Sequence, residues 1–115
     1  MNTLRDRTKR FAVEIIRFCV SLPPTDEGRV IKRQLLRSGT SPGAHCREAF
    51  RSRSNAEMIS KLETALQELD ESLYWMELLI ETDIVAERRL QPLIHEADEL
   101  IAMAVASVRT IKRRR

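Results

Sequence analysis

Aromatic side chains are scarce: one Trp, one Tyr and three Phe, 4% of 115 residues. So few rings argue against a surface that binds by stacking on bases. Glycine is rarer than aromatics, with three residues, and neither a Gly-rich phosphate cradle nor a nucleophile elbow can be found. Long β-branched runs are missing, which disfavours a sheet sandwich and favours a helical bundle. No apolar run approaches the roughly 18–20 residues that cross a bilayer. Arg5, Arg7, Lys9 and Arg10 precede an apolar stretch, as in an export signal. Glu14 and Arg17 interrupt that stretch, however, and no small-residue cleavage site follows, so a cytoplasmic protein is expected. The two cysteines, Cys19 and Cys46, fall in apolar helical positions and read as reduced, buried thiols.

What is present is aliphatic and charged. Hydrophobic residues make up 43% and charged ones 32%, enough for one domain with one core. The net charge of +3 hides a strong asymmetry. Residues 1–53 hold 12 Lys/Arg against 5 Asp/Glu, residues 54–108 hold 3 against 12, and residues 109–115 hold 5 against none. Either the basic half faces acidic helices, in this chain or a neighbour, or it faces an anionic partner.

Four stretches carry helical periodicity. From about Thr3 to Leu22, Leu4, Thr8, Phe11, Ile15, Phe18 and Leu22 recur at steps of 4 and 3. Leu22-Pro23-Pro24 ends that helix, because proline cannot continue the ladder. The second helix starts at Thr25 or Asp26, either a good N-cap. Ile31, Leu35, Ser38, Pro42, His45 and Ala49 then keep one phase. Ser41-Pro42-Gly43 alone reads as a loop. The unbroken phase instead predicts one helix, kinked near Pro42 and ending around Arg51, with two short helices as the alternative. Ser54-Asn55-Ala56-Glu57 is a capping box. It opens a third helix, to about Glu81, with Ile59, Leu62, Leu66, Leu69, Leu73, Met76 and Ile80 in one seam. The fourth carries Leu90, Ile94, Ala97, Ile101, Ala104, Val108 and Ile111. Pro92 is expected in its first turn, after a separate turn over Ala86–Leu90 capped at Thr82 or Asp83. Short connections make this an all-α, antiparallel up-down-up-down four-helix bundle. It is a single domain over residues 1–115 with a basic tail at 109–115.

The middle of the chain is specific enough to carry a resemblance. Leu35-Leu36-Arg37-Ser38-x-x-Ser41-x-Gly43-Ala44-x-x-x-Glu48-Ala49-Phe50, then Arg51-x-x-Ser54-x-x-Glu57-x-Ile59, resembles the small four-helix-bundle proteins encoded in intervening sequences of 23S rRNA genes. The likeness covers almost the whole chain. It implies a ring-forming homo-oligomer, typically a homopentamer, with no established enzymatic activity. More distantly it resembles the accessory protein of diversity-generating retroelements, a basic pentamer that binds nucleic acid and a reverse transcriptase. The chain departs from the family pattern where Pro42 replaces an aliphatic residue, His45 an Asn and Cys46 another aliphatic residue.

The candidate chemistry is sparse. Cys19, Cys46, His45 and His95 are the only soft ligands, and Pro42 and Pro92 stand where a bundle metal site needs Glu before His. No metal and no cofactor are expected. Ser38, Ser41, His45 and Glu48 share one helical face. That face suggests a Ser/His/Glu set on paper, but small polar residues at a close helix contact explain it better. They are read as a structural polar network between helices, with Arg37 or Arg47 supplying charge to Glu48 across an interface. Arg29, Lys32, Arg33, Arg37, Arg47, Arg51 and Arg53, with Lys112 and Arg113 of the tail, are candidates for nucleic-acid binding, RNA or DNA. Arg5, Arg7, Lys9 and Arg10 add to that field. Such binding would be led by the phosphate backbone. The alternative is a homo-oligomeric scaffold for a protein partner, because helices apolar on two faces need further partners. No lipidation motif accompanies the basic tail, so no membrane partner is expected.

Overall fold

Three five-residue connections set the topology. The computed structural model describes residues 3–114, as helices α1 (Leu4–Val20), α2 (Asp26–Ala49), α3 (Asn55–Glu81) and α4 (Glu87–Arg113). No strand occurs among the described residues. Five residues reach at most about 18 Å. A helix of 24–27 residues is about 36–40 Å long. Each helix must therefore fold back along its predecessor. Side-chain pairs confirm the sense: Glu48 meets Lys61 and Arg37 meets Glu71 between α2 and α3, while Arg7 meets Glu96 and Ser21 meets Arg89 between α1 and α4. Each helix packs on two neighbours and none packs across the diagonal, with α1–α4 the sparsest side.

Caps place the helix starts. Thr3, Thr25 and Ser54 each accept a hydrogen bond from the backbone N–H three residues on, at 3.1 Å. Thr82 ends α3, and Asp83 follows in the left-handed region at φ 59°. The Ile84 N–H then returns to the Leu79 carbonyl and the Asp83 N–H to the Ile80 carbonyl, both at 3.0 Å, a Schellman stop.

At Pro42 the single helix is as expected, and at Pro92 the helix start is not. α2 runs unbroken through Pro42, which is buried in the core face, so the pair of short helices is ruled out. α4 is a single helix from Glu87, without the separate Ala86–Leu90 turn, and neither Thr82 nor Asp83 caps it. Its cap, Ala86, gives no side-chain bond. Pro92 lies inside the helix but is exposed, so solvent can reach the carbonyl that lost its partner.

The core follows the predicted seams with a drift. Leu4, Thr8, Phe11 and Ile15 of α1 and Ile31, Leu35, Ser38 and Ala49 of α2 are buried. In α3 the buried set is Ile59, Leu62, Ala65, Leu69, Ser72, Met76 and Leu79, while Leu66, Leu73 and Ile80 are half-covered. A straight helix turns every 3.6 residues, so a strict seven-residue seam slides around it. α1 and α2 approach most closely at two glycines. A Cβ on Gly39 would stand 2.8 Å from Ile15 Cγ1 and Cγ2, and one on Gly43 3.3 Å from the Thr8 carbonyl oxygen. Thr8, fully buried, satisfies its hydroxyl by donating to the Leu4 carbonyl at 2.8 Å.

Candidate nucleic-acid interface

The up-down topology sorts the basic residues by end. The α1 N-terminus, the α2 C-terminus and the α4 C-terminus share one end. This brings Arg47, Arg51 and Arg53 to the end that carries Lys112 and Arg113, together with Arg5 and Lys9. Arg29, Lys32 and Arg33 lie at the opposite end of α2, around Leu36. The two stretches of the chain richest in positive charge thus meet only in part.

Ion pairs sort the cations further. Arg37, a candidate from the sequence, is bonded to Glu71 of α3, whose carboxylate also accepts from Trp75 Nε1 at 3.0 Å. Arg29 pairs with Asp26 at 3.5 Å and Lys112 with Glu63 at 3.7 Å. Arg33, Arg47, Arg51 and Arg53 are exposed, and no carboxylate of the described residues lies within ion-pair distance of them. Arg7 differs from its basic neighbours. Two residues beyond Arg5, it turns 200° around the helix and reaches α4. There its Nη2 donates to Glu96 at 2.5 Å and to Glu99 at 3.0 Å, and its Nε to Glu96 at 3.0 Å. The guanidinium holds the Glu99 carboxyl below its usual range. The signal for this was in the sequence: Arg5 and Lys9 are one turn apart on one flank, and Arg7 is on the other.

The four polar residues of α2 part company. Ser38 is fully buried and shares a 3.0 Å hydrogen bond with Ser72 of α3. Ser41 returns its hydroxyl to the Arg37 carbonyl at 2.7 Å. His45 sits between two carboxylates, Nδ1 3.4 Å from Glu48 and Nε2 3.5 Å from Glu68. His45 Nδ1 and Glu68 Oε1 are both buried without a hydrogen bond. Glu48 is half exposed, and its charge partner within the chain is Lys61 at 3.0 Å. That bond lowers the Glu48 carboxyl, whereas burial raises that of Glu68. Sequence reasoning missed Lys61 and Glu68 because both belong to α3 and only its register against α2 selects them. No serine lies within hydrogen-bond reach of His45 among the described residues. The two imidazole nitrogens face different helices, so they cannot direct His45 and both carboxylates at one ion. No group of three metal-ligating side chains gathers among the described residues. Nor is any helix there long and apolar enough to cross a membrane.

Comparison with known proteins now bears on this arrangement. No curated protein matches the chain. A crystal structure of a protein of unknown function from the S23 ribosomal protein family of Bacteroides thetaiotaomicron is similar, with a TM-score of 0.87 and 34% identity. The match covers 92% of this chain and 98% of that one. The family model described as 23S rRNA-intervening sequence protein matches residues 2–106. Fold, sequence identity and family match agree, and the chain belongs to the 23S rRNA-intervening sequence protein family.

Proposed function

We propose that this protein is a non-enzymatic, ring-forming homo-oligomer, a pentamer on the family pattern, that binds RNA or other nucleic acid in the cytoplasm. One observation supports it above the rest: unpaired cations from α1 and α2 and the basic end of α4 converge on one end of the bundle. Copies in a ring would multiply that field, and phosphate affinity scales with the number of phosphates neutralised. A bend at Pro42, which offers no N–H to the Ser38 carbonyl, belongs to the same reading: it would aim the basic end of α2. The test is binding to a mixed structured RNA across salt, with assembly mass recorded in the same samples. The reading expects micromolar or tighter affinity that falls linearly in log salt on a constant oligomer.

A scaffold for a protein partner is the second reading. It is favoured by apolar side chains left exposed on α1 and α2: Val20 at 78%, Val30 at 57% and Ile16 at 49%. No RNA binding at low salt, with the oligomer intact, would make it the leading one.

A further inference from the structure

Four cations converge on one groove between α1 and α2. Arg5 and Lys9 form its α1 wall, and Arg47 of α2 with Arg51, just past the end of that helix, forms the other, around about 670 Å³. Arg5 and Lys9 are one helical turn apart, about 6 Å along the α1 axis. None of the four makes an ion pair among the described residues. Two carboxylates reach the same groove, Asp6 and Glu48. The Glu48 charge is matched from outside by Lys61, so the groove stays positive.

The groove has charge but no ring on which a base could stack: no aromatic side chain lines it. The hydroxyl of Thr40 is committed to the Leu36 carbonyl at 2.6 Å. The Asp6 amide is taken by the Thr3 hydroxyl at 3.1 Å. Proteins that hold single strands stack bases on aromatic rings, whereas guanidinium forks suit phosphate. Resting on the nucleic-acid reading above, we infer that this groove seats the phosphodiester backbone of one strand of a double-stranded nucleic acid, recognised by charge and shape.

The experiment compares three probes across salt on the assembled protein: an RNA duplex of about 16 bp, the matching DNA duplex and an unstructured oligouridine. The tighter duplex identifies which backbone the groove takes. On that duplex Arg47→Ala/Arg51→Ala lowers the slope of log affinity against log salt by about 1.8, from 0.9 per phosphate. The same loss weakens binding about 60-fold near 0.1 M salt. Arg17→Ala/Arg88→Ala removes the same formal charge at the opposite end of the bundle, from exposed residues outside the candidate set, and keeps the wild-type slope. Phe50→Ala, which deletes the exposed ring next to Arg51, also leaves duplex binding unchanged. Three results would each overturn the inference: a wild-type slope in the groove variant, oligouridine bound as tightly as the duplex, or a loss on Phe50→Ala. Failure of the wild type to bind any probe would instead overturn the nucleic-acid reading itself.

Discussion

Gly39→Ala should destabilise this protein, although the same change in a helix interior normally stabilises. Exchanging glycine for alanine there gains about 1 kcal/mol of helix propensity. At Gly39 the new methyl would stand 2.8 Å from two γ carbons of Ile15 and 3.2 Å from its Cβ. Carbon atoms prefer about 3.5–4.0 Å, so roughly 0.8 Å must open. Ile15 is fully buried, and a β-branched side chain has one good rotamer in a helix. Relief must come from moving α1 off α2. Overpacking of that kind costs about 1–3 kcal/mol, and contact with the branch point puts it at the upper end. The net loss is then about 1–2 kcal/mol. For a chain of this length that is a fall of about 4–8 °C in Tm. Thermal and urea melts of a double-mutant cycle test it. Ile15→Ala alone costs about 2–5 kcal/mol, but it removes the atoms that clash. In that background Gly39→Ala should regain its propensity and stabilise. If it stabilises the wild type, or destabilises both backgrounds equally, the close approach of α1 and α2 is not what demands glycine.

Arg7→Gln removes charge-assisted bonds to Glu96 and Glu99 and should cost about 1–3 kcal/mol in urea titrations; an unchanged midpoint would show the α1–α4 tie to be idle. Burial raises the Glu68 carboxyl above its usual range, outweighing the pull of His45 and Arg37. The folded chain then binds that proton more tightly than the unfolded chain, so this contribution to stability declines as pH rises from the usual carboxylate pKa through the raised one. Glu68→Gln should flatten that decline and leave stability at pH 7 equal or higher; a loss at pH 7 with the slope retained refutes the assignment. Cys19 and Cys46 are almost fully buried, and burial pushes the Cys19 thiol up to about 11 and raises that of Cys46. Both should resist alkylation at pH 8 until denaturant is added; rapid labelling of the native chain would contradict this packing.

The four helices were legible because Leu, Ile and Ala recur at 3 and 4 and because Thr3, Thr25 and Ser54 are good caps. The start of α4 was not. Propensity treats Pro92 as a boundary wherever it falls, and only its solvent exposure explains why the helix tolerates it. The basic cluster was visible as composition, but its division was not. Arg37 looks like Arg33 in sequence, and only the register of α3 gives it Glu71. Arg37 or Arg47 was expected to supply charge to Glu48 across an interface. Within the chain Lys61, on the helix alongside, reaches it, and tertiary contacts between charged groups leave no periodic trace in a sequence.

The α1–α4 side has one more consequence, for kinetics. Every other pair of adjacent helices is joined by a short connection, whereas Arg7 and Glu96 are 89 residues apart. Closing a contact of that span carries the largest loop entropy in the chain. It should therefore form after the transition state, once the three hairpins have docked. Substitutions at Arg7 should then accelerate unfolding and leave the refolding rate nearly untouched, which makes this salt bridge a latch on the lifetime of the folded state.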